Sequence, residues 1–304
     1  MTWFFISLIA PFLYALTNHI DKLLISKYFK DSGVGALMLF SSLLSVLAMP
    51  FIFWTDPTVL DLEIISIIIL GIGGILNMLV LWCYFLALAD DEASITVIFF
   101  QLVPVFALIL GYLILGETIT KLQCIAMAIV IIGTSIVAID VDADNKFFLR
   151  TKTIFLMTAA SFFWGLESVL FKFVALEENW IRSLFWEHLM LTIVGLLIFI
   201  FIKKYRDDFL DAVKANSRPI LGLNVANESI SMLGNIIFAY TFMLAPVALV
   251  LLTQSFQPIF VIIVGVFLTL FFPKITAEKI TLKDVTQKLL AIIITGIGSY
   301  LLLM

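Results

Sequence analysis

Ten stretches of mostly apolar residues alternate with short polar breaks along the chain. They centre on residues 3–25, 34–54, 62–88, 93–116, 121–139, 152–175, 183–203, 218–244, 246–271 and 285–304. A helix needs roughly 20 apolar residues to cross the hydrocarbon of a bilayer, and each stretch approaches or exceeds that length. The pattern predicts an all-α polytopic membrane protein with ten transmembrane helices. Ten spans and their breaks use most of the 304 residues, which leaves no room for a soluble domain. The first stretch opens at Thr2 with no basic segment before it and no small-residue cleavage site after it. It reads as a retained helix rather than a signal peptide.

The eighth stretch departs from the pattern. Within LGLNVANESISMLGN, residues 221 to 235, the polar positions are Asn224, Asn227, Glu228, Ser231 and Asn235. Steps of three and four residues place them on one stripe of a helix, with Ser229 off it. Lipid satisfies none of these groups, so the stripe must face protein or a water-filled cavity. Asparagine and serine also join helices to one another, but a carboxylate at mid-span costs roughly 2.5–3.5 kcal/mol on insertion scales and marks ion or proton pathways.

Composition supports the membrane reading. The chain is 62% hydrophobic and 13% charged, with a mean hydropathy of +1.16, where soluble domains are about a quarter charged. A net charge of −4 without any basic run gives no reason to expect a nucleic-acid partner. Two histidines, His19 and His188, and two cysteines within spans, Cys83 and Cys124, predict neither a metal site nor a disulfide framework, and no cofactor is expected. Lysines and arginines are unevenly placed. Fourteen fall on the odd-numbered breaks, and Lys121 and Arg182 alone fall on the even ones. The positive-inside rule therefore puts the odd breaks in the cytoplasm and both termini outside.

The two halves repeat one another. FLYALTNHIDK (12–22) aligns with FFWGLESVLFK (162–172) at an offset of 150, pairing Tyr14 with Trp164, Asn18 with Ser168 and Lys22 with Lys172. FQLVPVFALILG (100–111) aligns with QSFQPIFVIIVG (254–265) at an offset of 154, pairing Pro104 with Pro258 and Gly111 with Gly265, and Gly133 is set against Gly296. Five helices per half is an odd number, so the second copy enters the membrane from the opposite side. Residues 1–141 and 152–304 then form inverted repeats joined by a linker at 142–151. Folds of this kind carry substrates at the midplane, between the repeats.

These residues also resemble the EamA-like family of the drug/metabolite transporter superfamily. The resemblance rests on Trp164, Gly165 and Lys172, and on the run Pro104, Gly111, Gly116, Glu117 followed by Gln123 and Gly133. It implies ten helices around a cavity open alternately to each side, and transport of small metabolites or amino acids. It also implies cytoplasmic termini, against the charge count. Two positions depart from the pattern: Tyr14-Ala15 stands where WG belongs, and Glu278 is the displaced counterpart of Glu117.

The expected site is a midplane cavity. Its candidate substrate-binding residues are Glu228, Asn224, Asn227 and Ser231, with Glu167, Trp164, Asn77, Tyr84, Gln101, Gln254 and Gln257. A carboxyl group in apolar surroundings resists ionisation, so proton uptake becomes feasible near neutral pH. Glu228 and Glu167 are the candidates for it. Trp164 and Tyr84 offer ring faces to an ammonium group. Lys22, Lys172 and Asn18 are candidates for charge or gating, although a lysine near a helix end also snorkels to the interface. Pro104 and Pro258 are candidate hinges. Glu187 and His188 are placed early in their helix as interfacial or site residues. Glu117 is expected to cap a helix or stay solvated.

The expected activity is proton-coupled, alternating-access transport of a small amine. The partners are that substrate, H+ and the bilayer of a bacterial inner membrane, with a monomer expected and a dimer left open. A neutral or anionic substrate, held by Lys22 and Lys172, is the alternative, followed by a receptor or accessory subunit. No HExxH, GxSxG or paired-aspartate signature points to an enzyme.

Overall fold

The computed structural model describes residues 2–29, 33–117, 120–137, 139–141, 147–215, 217–272 and 282–302. Glu278 and the DADNK segment at 142–146 lie outside the described residues. Helices α1 (Thr2–Tyr28), α2 (Val34–Thr55), α3 (Ile64–Asp90) and α4 (Ala93–Leu115) come first, then α5 (Lys121–Val137). Strand β1 (Ile139–Val141) pairs antiparallel with β2 (Phe147–Leu149), with Ile139 opposite Leu149. The linker read at 142–151 therefore contains half of a hairpin. Six helices follow: α6 (Thr151–Glu177), α7 (Trp180–Phe201), α8 (Lys203–Ala215), α9 (Ser217–Phe242), α10 (Val247–Phe271) and α11 (Leu282–Leu302).

Among the described residues, seven helices (α1 to α4, α6, α7 and α10) are long and apolar enough to cross a membrane. Of the other three expected spans, α9 carries the polar stripe, and α5 and α11 border or contain residues outside the described ones. The basic stretch after α7 forms α8, which lies on α2 with Phe209 against Phe40.

The two prolines mark restarts rather than kinks in regular turns. Helix α4 tightens to a 3-10 segment over Phe100–Leu102, and α10 does so over Leu252–Phe256. Pro104 and Pro258 each stand in the first two positions of the regular helix that resumes. There the missing N–H is one that a new helix leaves unpaired anyway.

The main packing joins the two halves. Helix α1 lies against α9 and α10, α6 lies against α3 and α4, and α5 lies along α11. Helices α5 and α11 touch through glycines. A Cβ on Gly133 would stand 2.9 Å from Thr295 N, and one on Gly298 would stand 2.9 Å from Ala126 O and Val130 N. A Cβ on Gly296 would meet nothing within 4 Å. Packing therefore corrects the alignment: Gly298, not Gly296, does what Gly133 does. Position 298 follows 133 by 165 residues, as 295 follows 130.

The α2–α3 connection is held from the second half. Arg182 donates to Asp61 O (3.0 Å) and Thr58 Oγ1 (2.8 Å), and its Nε lies 3.6 Å from Asp56. Hydrogen bonds from Thr58, and then Arg182, hold the Asp56 carboxyl below its ordinary value. That contribution is present above the ordinary carboxylate range and fades as pH falls through it.

Candidate functional site

Helices α1 and α9 face each other with matching polar stripes. On α1 these are Tyr14, Thr17, Asn18 and Asp21, spaced 0, 3, 4 and 7, which puts them on one face. Between the two helices, and closed in by α2 and α3, lies a cavity of about 160 Å³. Of the expected residues, Asn18, Asn77, Tyr84, Trp164, Asn227, Glu228, Ser231 and Gln257 line it. The structure adds Tyr14, Asp21, Ser41, Ser45, His188 and Asn235 to the wall, and also Ser229, the residue off the stripe.

Hydrogen bonds converge on Asp21, which is 6% exposed. Gln257 Nε2 donates to Asn18 Oδ1 (2.7 Å), and Asn18 Nδ2 donates to Tyr84 Oη (2.6 Å). Tyr84 Oη then donates to Asp21 Oδ2 (3.2 Å), and from the other side Asn227 Nδ2 donates to Asp21 Oδ1 (2.7 Å). The carboxylate orients every amide in the chain, because an amide turned around would set oxygen against oxygen. The leftover atoms are acceptors. Asn227 Oδ1 and Gln257 Oε1 are buried without a hydrogen-bond partner. Glu228 shares the cavity, as does Ser41.

Other expected residues lie elsewhere. Asn224 is fully buried and bonds back to Ile220 O at 2.8 Å, so it serves its own helix. Gln101 and Gln254 are buried in the two 3-10 segments, off the cavity wall, and their amides have no partner among the described residues. Glu167 opens into a second, smaller cavity of about 30 Å³ with Glu187. Tyr14, Trp164 and Asn235 border both cavities, and Tyr14 Oη donates to Asn235 Oδ1 at 2.5 Å across the division. His188 is not interfacial: it is 5% exposed and shares a 2.7 Å hydrogen bond with Ser45.

Neither lysine snorkels. Lys22 Nζ donates to Leu88 O and Asp91 O, both at 2.6 Å. Lys172 Nζ donates to Ala245 O at 3.0 Å, with Glu117 Oε1 3.8 Å away. Each amine ties the end of α1 or α6 to the turn after α3 or α9.

The sequence model of the EamA-like transporter family matches residues 1–139. Over those residues, somewhat less than half of its length, the chain is similar to the EamA-like family. Its members are membrane transporters of the drug/metabolite type, and the apolar helices make this an integral multi-pass membrane protein. No curated protein matches the chain. One solved crystal structure of a protein superposes over 96% of this chain and 95% of its own, with a TM-score of 0.51 and 14% identity. That likeness concerns the fold alone.

The EamA-like motif has a physical content here. Gly116 ends α4 at φ 69°, a left-handed position that favours glycine. Glu117 then folds back over Gly111, where a Cβ would stand 2.6 Å from Glu117 Oε2. Glu117 is thus neither a helix cap nor solvated; it is aimed at Lys172 of the other half. Gly111→Ala is expected to push the carboxylate off Lys172. A double-mutant cycle with Glu117→Gln should then show a coupling of about 0.5–1.5 kcal/mol in thermal unfolding. Additive effects would mean that the fold-back does not matter.

Proposed function

We propose that this protein is a secondary active transporter of small amine-bearing metabolites, working by alternating access and coupled to protons. One observation carries the substrate class: two carboxylates, Asp21 and Glu228, share the cavity, with the carbonyl oxygens of Asn227 and Gln257 left unpaired beside it. Such a pair of carboxylates calls for positive charge, and an ammonium group supplies it together with N–H donors. Among the described lining residues there is no lysine or arginine. The anionic alternative loses its support, since Lys22 and Lys172 bind carbonyl oxygens off the cavity wall.

Paired contacts favour ten spans arranged as two inverted five-helix repeats. The amines of Lys22 and Lys172, 150 residues apart, bind the carbonyls of Asp91 and Ala245, 154 residues apart. Both offsets recur in the sequence halves, and the α5–α11 glycines add a third pair. In this reading the protein is a monomer in a bacterial cytoplasmic membrane, and the helices that restart at Pro104 and Pro258 change inclination between states.

A carboxylate holds one ammonium or one proton at a time, so exchange of the two at Glu228, with Glu167 as a second proton site, couples the gradients. Uptake of radiolabelled amines into proteoliposomes under an imposed pH gradient tests the proposal. Flux that follows the gradient and saturates with amine is expected, and none over protein-free vesicles would refute transport. Glu228→Gln is expected to abolish or uncouple flux while the protein stays folded; unaltered pH-dependent flux would remove Glu228 from the mechanism.

A further inference from the structure

We infer that the cavity is built for a short linear diamine, with one primary ammonium at Asp21 and the other at Glu228. The inference rests on the amine-carrier reading above and sharpens it.

Charge comes first. Asp21 and Glu228 share one cavity, and among the described residues that line it no lysine or arginine offsets them. A monoamine leaves the second carboxylate to be neutralised by a proton, which must first be taken from solution. Two ammonium groups on one chain match both.

Hydrogen bonding then selects the type of nitrogen. Asn227 is 2% exposed and Gln257 is 1% exposed; both line the cavity, and their Oδ1 and Oε1 atoms lack partners. Neither amide can rotate to correct this, since its NH2 is committed to Asp21 or Asn18. An N–H donor from a ligand that reaches these oxygens would satisfy them. A primary ammonium carries three, whereas a quaternary ammonium carries none.

Size agrees with a short chain. An apolar cavity of about 150 Å³ accepts benzene, roughly six non-hydrogen atoms, and this one is about 160 Å³. A chain of four carbons between two nitrogens has that many atoms. The rings of Tyr84 and Phe100, 5.6 Å apart, supply an apolar wall for the methylenes.

The test is calorimetric titration of the purified, full-length protein with 1,4-diaminobutane, butan-1-amine, the N,N′-hexamethyl form of the diamine, and 1,8-diaminooctane. We expect 1,4-diaminobutane to bind at least ~10-fold tighter than each of the other three. In Glu228→Gln the advantage over butan-1-amine should shrink to within ~3-fold, with an unchanged elution profile and helicity showing that the variant is folded. If butan-1-amine binds as tightly as the diamine to the wild type, the diamine assignment is overturned and the amine reading survives. If the hexamethyl form binds as well, the unpaired carbonyls do not select the ligand and the assignment also fails. If no amine binds, both readings fall together.

Discussion

Asp21→Asn leaves the protein folded and lowers its affinity for amines by about 30-fold or more. The side chains are nearly the same size, and asparagine still accepts the hydrogen bond of Asn227 through its oxygen. Its NH2 then faces Tyr84 Oη, which already accepts from Asn18 and whose own proton loses its acceptor, so the expected loss of stability is about 1–3 kcal/mol. Ligand binding suffers more. Removing one member of a buried, hydrogen-bonded charge pair costs about 2–5 kcal/mol, and each 1.4 kcal/mol is about tenfold in affinity. Glu228 is less buried than Asp21, so its replacement should weaken binding less. Calorimetry and flux measured on the same preparation decide the matter. Wild-type affinity in a folded Asp21→Asn protein would move the anionic anchor away from Asp21.

Gly298→Val is expected to destabilise the protein by about 1–3 kcal/mol or more. The new Cβ would meet two backbone atoms of α5 at 2.9 Å, and backbone, unlike a flexible side chain, yields only if the helix moves. The added γ-methyl groups increase the clash. Gly296→Val, on the same helix, serves as the control, since a Cβ there meets nothing within 4 Å. Thermal unfolding in detergent should show a lower midpoint for Gly298→Val alone. Equal midpoints for the two variants would mean that α5 and α11 do not pack through these glycines.

Both predictions bear on how much could be read in advance. The stripe of α9 was legible because lipid offers polar groups no partner, so five of them at helical spacing had to share a face. The stripe of α1 has the same spacing. There the sequence does not tell which of two adjacent charges, Asp21 or Lys22, enters the cavity; the structure sends the lysine to the turn after α3 and the carboxylate into the cavity. Gln101 and Gln254 look like site residues by type and depth, but a one-dimensional pattern does not tell the inner side of a 3-10 segment from a cavity wall. The Gly296 alignment failed for a related reason: two glycines spaced by two on one helix differ only in what packs against them.

The sequence by itself determined the class of the protein, its helical periodicity and the presence of polar groups that must avoid lipid. These follow from local composition and spacing, because a bilayer imposes one length and one apolarity on every segment that enters it. Only the tertiary structure decided which polar residues meet. The convergence on Asp21 joins α1, α3, α9 and α10 across more than 200 positions of chain. Such contacts are set by how the helices cross, and crossing depends on side chains of both partners at once.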